Sequence, residues 1–254
     1  MRKTIIFILL IGGGVFGHLT ATEKDKDISL SGGVGYESED VSRASKQSGP
    51  ALQGSLQLNY ETANGEIYVG SWNNYPFSRK TLVAVESDPY FGYQHNLGEV
   101  FYADFGYIYN WKVNPPASVL GHSNEVYVGV SGDVMLTPKV YGYYDLDKRQ
   151  WTLESAIGYS FDLNELGAPN TSLDVGLLVG ILRAKSAYGP LRPRRNGYAY
   201  FGTTADIVYH FNDVFCFKIG IRYAANNDKP TGVANDIGHH KKMFWYGTGL
   251  FAQY

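Results

Sequence analysis

Residues 101–111 keep a period of two: Phe101, Ala103, Phe105, Tyr107, Tyr109 and Trp111 share one parity, and Tyr102, Asp104, Gly106, Ile108 and Asn110 share the other. Side chains of a β-strand point alternately to opposite faces, so this segment is a strand with one apolar face and one face carrying a carboxylate. The rhythm recurs at Trp151, Leu153, Ile157, Tyr159 and Phe161, at Phe201, Ile207, Tyr209 and Phe211, and at Phe215, Phe217, Ile219, Ile221 and Tyr223. About twelve segments read this way, at 28–38, 51–61, 66–75, 81–94, 99–111, 124–134, 139–146, 150–162, 172–184, 197–211, 214–225 and 242–254. Most reach the roughly nine to eleven residues that a tilted membrane-spanning strand needs. Helical periodicity appears nowhere at useful length. Two surroundings suit such strands: a soluble sandwich, whose apolar face is its inside, or a membrane barrel, whose apolar face meets lipid and whose Asp104 points into the lumen.

The N-terminus favours the barrel. Met1-Arg2-Lys3 is a charged start, Ile5 to Phe16 is apolar apart from Gly12 to Gly14, and small or polar residues follow to Ala21. This reads as a secretory signal peptide over 1–21 that leaves a single barrel domain at 22–254; the apolar run is too short for a bilayer-spanning helix of about twenty residues. Cys216 is the only cysteine, so an exported chain must hold together without an internal disulfide. The 22 basic and 24 acidic residues are interspersed, which excludes the charge blocks of a nucleic-acid partner.

Connection lengths alternate as well, except that those after the third and seventh segments are short and 163–171 after the eighth is longer than a tight turn. Long ones at 39–50, 112–123, 185–196 and 226–241 follow odd-numbered segments, and short ones at 62–65, 95–98, 135–138 and 212–213 follow even-numbered ones. Outer-membrane barrels have long outer loops and short periplasmic turns, so both termini are expected at the periplasmic end. The expected fold is therefore all-β: an antiparallel transmembrane β-barrel of about twelve strands, with ten as the smaller alternative. The last segment, FWYGTGLFAQY, ends on Tyr254 with Phe244, Tyr246 and Leu250 on its parity. It is similar to the signal by which such barrels reach their assembly machinery, an expected partner alongside outer-membrane lipid.

Three stretches carry a family resemblance: PALQGSLQLNYETANGEIYVGSWNNY (50–75), with Gly-x-Trp at Gly70 and Trp72, DFGYIYNW (104–111) and NEVYVGVS (124–131). Together they resemble the TorF or Gcw-chp family of bacterial porins, over about the first half of the mature chain. The family's Arg-Gly after the first strand is Arg43-Ala44 here, and its Tyr-Pro-Gly after the fifth is replaced by Asn110 to Pro116. The resemblance implies an outer-membrane barrel, with little said about its substrate.

Parity places Glu86, Asp88, Asp104, Glu125, Asp133, Glu154 and Asp206 inside, against Lys218 and Arg222. A wet lumen lined by Glu86, Asp104, Glu125, Glu154, Asp206, Lys218 and Arg222 favours small cations. The alternative is a closed lumen whose charges pair across strands, for example Arg222 with Asp206; a barrel of this size lies between filled and channel-forming sizes. No catalytic residue, metal or cofactor is expected. His122 and Ser123 are adjacent, so on a strand they point to opposite faces and cannot act together. Asp236, His239 and His240 read as solvated loop residues rather than a metal site, Arg192, Arg194 and Arg195 as a soluble loop rather than a phosphate site, and the Asn170-Thr171-Ser172 sequon as uninformative. The expected function is a passive porin-like channel for small solutes in the outer membrane of a Gram-negative-type bacterium, with a weak cation preference. A non-conducting structural or adhesive barrel and a secreted soluble β-sandwich stand as alternatives.

Overall fold

The computed structural model describes residues 27–77, 85–113, 115, 120–184, 197–228 and 241–254. Its strands are β1 (Ile28–Glu37), β2 (Asp40–Ser42), β3 (Ser45–Ser48), β4 (Ala51–Thr62), β5 (Gly65–Pro76), β6 (Glu86–Asn96) and β7 (Phe101–Lys112), followed by β8 (His122–Gly132), β9 (Lys139–Asp145), β10 (Gln150–Asp162), β11 (Thr171–Ala184), β12 (Gly197–His210), β13 (Phe215–Asn226) and β14 (Lys242–Gln253). Twelve of them close into one antiparallel barrel, while β2 and β3 form a separate two-stranded sheet. All of the expected segments are strands; the fourth begins at Glu86, and residues 81–84 lie outside the described set.

Closure is made by β1, which pairs with β4 from Ile28↔Tyr60 to Glu37↔Ala51 and with β14 from Ser31↔Gln253 to Glu37↔Gly247. The last residue completes the seam: Leu30 N donates to Tyr254 O and Tyr254 N to Leu30 O, each at 2.8 Å. A closed barrel leaves no strand edge unpaired, the condition for putting a sheet in lipid. The start of β1 and the end of β14 therefore sit at the end that carries the short turns. One such turn, between β12 and β13, is set by Asn212, whose Oδ1 accepts from Val214 N at 2.9 Å and Phe215 N at 2.8 Å.

The two faces separate as the alternation demands. Phe105 is 51% exposed and its neighbour Asp104 5%. Outward rows are aliphatic at mid-height, as at Val69, Val128 and Ile221, and aromatic at both ends: Tyr60, Phe101, Phe161, Tyr209 and Phe215 near the turns, Tyr75, Trp111, Tyr144, Trp151 and Phe244 near the loops. An apolar band between two aromatic girdles matches a bilayer and its two interfaces. In a soluble sandwich these side chains would be the buried ones, and here they are the exposed ones.

Candidate functional site

Among the described residues the buried polar side chains gather in the interior, whose first occupant comes from a connection read above as an outer loop. After β1 the chain turns back as the β2–β3 hairpin, pairing Ser42 with Ser45 around a tip of Arg43 and Ala44. Both tip residues have positive φ, 49° and 51°, as a two-residue hairpin turn of this hand requires. The hairpin docks inside the barrel. Val41 and Ala44 are buried against Leu182, Tyr200, Ala224, Met243 and Trp245. Ala44 O accepts from Asn226 Nδ2 at 2.5 Å, and Arg43 O accepts from the Tyr198 hydroxyl at 3.1 Å.

Polar contacts fix the other flank. Arg43 Nη2 donates to both oxygens of Glu125, at 2.8 and 2.9 Å, and its guanidinium lies 5.2 Å from the Tyr143 ring centre. Asp40 accepts from Asn74 Nδ2 at 3.0 Å and from Gln53 Nε2 and Ser48 Oγ at 3.3 Å. Burial nevertheless pushes its carboxyl up to about 7, with Glu86 adding to the shift while the Ser48 hydrogen bond opposes it.

One side of the lumen is a tyrosine wall. Tyr68, Tyr90, Tyr127 and Tyr143 form a buried cluster with Ile108, and Tyr141 packs against it. The Tyr68 and Tyr141 hydroxyls donate to the two oxygens of Asp104 at 2.6 and 2.9 Å, and the Tyr68 and Tyr127 hydroxyls bond each other. Most of these rings need a gap beside them. Tyr90 is paired in register with Gly70, where an added Cβ would come within 2.5 Å of the ring, so the Gly-x-Trp glycine is a slot for a tyrosine. Tyr68 over Gly92, Tyr127 over Gly106, Tyr141 over Gly129 and Tyr200 over Gly180 repeat the arrangement across register pairs.

All of the inward residues named from parity within strands, Glu86, Asp88, Asp104, Glu125, Glu154, Asp206, Lys218 and Arg222, have side chains buried in the interior. Most have partners. Glu86 faces Lys112 Nζ at 3.5 Å, Glu125 holds Arg43, Glu154 accepts from the Tyr200 hydroxyl, and Asp88 accepts from Trp111 N at 3.3 Å. Arg222 lies 2.9 Å from Asp206 and 3.2 Å from Glu37, ion pairs by distance although neither contact is aligned as a hydrogen bond. Lys218 Nζ stands 5.1 Å from the Phe251 ring centre. Asp133 differs: it lies half-buried in the turn after β8, where its N donates to Val100 O at 2.7 Å.

Of the remaining candidates, His122 and Ser123 are not brought together. His122 points outward and stacks on Tyr109, while Ser123 points inward and accepts from Lys148 Nζ at 2.9 Å. Asp236, His239, His240, Arg192, Arg194 and Arg195 lie outside the described residues. Residues missed from sequence include Glu37 at the end of β1, Asp40 and Arg43 of the hairpin, and Glu66, Lys139 and Asp145 of the wall, all titratable groups of the interior. The signal for the hairpin was an apolar patch at inward parity, Leu182, Ala224, Met243 and Trp245, which required a cover.

Next to the tyrosine wall, along β10 and β11, the barrel is less full at its turn end. The inward side chains of β10 and β11 toward the turn end are small or polar, namely Ala156, Gly158, Ser160, Ser172 and Asp174, and they keep partial or full exposure. Ser160 and Ser172 donate to Asp174 Oδ1 at 2.6 and 2.9 Å. The lumen is thus filled by the tyrosine wall and the docked hairpin and less full at the turn end of β10 and β11.

Among solved structures, the NanC porin shares this architecture with a TM-score of 0.53 at 11% identity, over 89% of this chain and 98% of that one. The KdgM porin does so with a TM-score of 0.50 at 12% identity, over 88% and 98%. At these identities the likeness is one of fold. No protein-family model matches the chain, and no curated protein matches it in sequence, so the family likeness read from residues 50–131 rests on those residues alone.

Proposed function

We propose that this protein is exported by its first 21 residues to the outer membrane of a Gram-negative-type bacterium, inserted through its C-terminal strand, and acts there as a narrow porin-like channel for small solutes. The observation that carries this reading is a closed barrel whose outer face suits lipid while its interior is polar and, along β10 to β12, unfilled. Similarity of fold to the NanC and KdgM porins supports it. A weak cation preference follows from the carboxylates that exceed the basic groups inside, although pairing of Glu125 with Arg43 and of Asp206 with Arg222 reduces it.

The second reading, a non-conducting surface barrel, is favoured by one specific observation: the docked hairpin and the tyrosine wall between them bury most inward side chains. Planar-bilayer recording of the refolded full chain separates the two. Discrete conductance steps support the channel, and a folded, protease-resistant barrel without conductance leaves the structural reading standing.

A further inference from the structure

Beside the docked hairpin lies a cavity, partly open to solvent, bounded by Arg43 of the hairpin and by Glu154, Leu178, Tyr200, Gly202 and Trp245 of the barrel wall. Its acidic lining residue is Glu154, only 4% exposed. One carboxylate oxygen, Oε1, accepts from the Tyr200 hydroxyl. The other, Oε2, is buried with no hydrogen-bond partner among the described residues. Buried acceptors are nearly always satisfied, and a carboxylate oxygen left bare is the costliest kind to leave so.

What satisfies it must be a donor, and the surroundings narrow the type. Arg43 is already bonded to Glu125, so the local charges are two carboxylates against one guanidinium. The walls beside Glu154 are an aliphatic chain and two aromatic rings, surfaces that suit an apolar body and can face a cation. Room is present too: a Cβ added at Gly202 would meet nothing nearer than 3.6 Å.

We propose that this cavity binds a small organic cation, with its ammonium donating to Glu154 Oε2 and its apolar part lying against Leu178, Tyr200 and Trp245. The inference rests on the channel reading for its biological sense, as it names the solute class, but the binding itself does not depend on conduction.

The test uses the refolded full-length barrel in detergent micelles and isothermal titration with n-butylammonium, n-butanol and butyrate at matched ionic strength. Saturable binding of n-butylammonium is expected, with n-butanol much weaker and butyrate without binding. Glu154→Gln should weaken n-butylammonium binding by about tenfold or more, the scale of a lost charge-assisted hydrogen bond. Gly202→Leu, which fills the space without touching the carboxylate, should abolish it; a heat-modifiable gel shift reports that each variant is folded, and if one does not fold the other decides. Equal affinity for n-butylammonium and n-butanol, or binding untouched by the folded variant, overturns the proposal and leaves a water on Oε2 as the answer. Bilayer recordings separate the two readings: a barrel that binds but does not conduct sinks only the channel, and one that conducts but does not bind sinks only this site.

Discussion

The hairpin inside the barrel is held by few groups, and removing one should loosen it measurably. Arg43 Nη2 reaches both Glu125 oxygens at 2.8 and 2.9 Å, and the side chains keep 21% and 6% of their exposure. A hydrogen bond to a charged partner contributes a net ~1.5 to 3 kcal/mol, and partial exposure of the guanidinium puts this pair toward the lower half of that range. Contact with the Tyr143 ring adds roughly 0.5 kcal/mol. Arg43→Ala should therefore cost docking about 2 kcal/mol, which is about 30-fold in the undocked population. A cysteine at buried Val41 reports that population, since Cys216, the native thiol, is itself buried. When the hairpin recloses faster than a water-soluble maleimide reacts, the labelling rate tracks the undocked fraction. Arg43→Ala is expected to speed labelling of Val41→Cys by about 30-fold. Glu125→Gln should speed it too, and the double variant by little more than Arg43→Ala alone. Labelling rates that agree within about twofold, or single effects that simply multiply, would refute the latch.

Four further outcomes are expected. Phe105→Arg, mid-height on the outer face, should cost roughly 2 to 4 kcal/mol in urea unfolding from micelles, because an arginine would sit near the bilayer midplane. Parity alone suggests that Asp104→Asn is mild, but its two oxygens accept from Tyr68 and Tyr141, so an amide that offers one acceptor oxygen should cost about 1 to 3 kcal/mol by the same measurement. Asp40 is raised to about 7 by burial in the docked hairpin, facing Glu86 and Glu37, which disfavour its charge, and Lys112, which favours it. Its contribution to docking is thus full below the ordinary carboxylate range and lost as pH rises through about 7. Val41→Cys labelling, corrected for thiol ionisation, should rise from pH 5 to 8, and Asp40→Asn should flatten the rise. If the channel conducts, its cation preference should fade between about 0.1 M and 1 M salt, as the Debye length falls from about 10 to about 3 Å; a preference that survives high salt would point to a size filter instead.

The barrel was legible because its burial rule is strict. A residue such as Phe105 and its neighbour Asp104 cannot exchange faces without putting a carboxylate in lipid, so period-two patterning carries strand, face and approximate bounds together. The hairpin obeys no such rule. Asp40, Ser42, Ser45, Lys46, Gln47 and Ser48 are loop-like in composition, and only Val41 and Ala44 give it an apolar side. What docks it is an apolar patch on β11 to β14, far along the chain, whose members Leu182, Ala224, Met243 and Trp245 sit at a parity that elsewhere is mostly polar. An inward apolar patch in a barrel either stays wet or is covered from within, and a loop of the right length is the nearest cover. The glycine slots were hidden for a different reason: each pairs with a tyrosine one strand away, so it becomes visible only when register is known. The same limit bears on charge. Counting inward carboxylates along the strands gives an acidic lumen, yet Arg43, which falls in the 39–50 connection read as an outer loop, cancels Glu125 from within. Selectivity in such a barrel is therefore set as much by what a loop brings in as by what the strands display, and Arg43→Ala should make the interior more cation-preferring at the same time as it frees the hairpin.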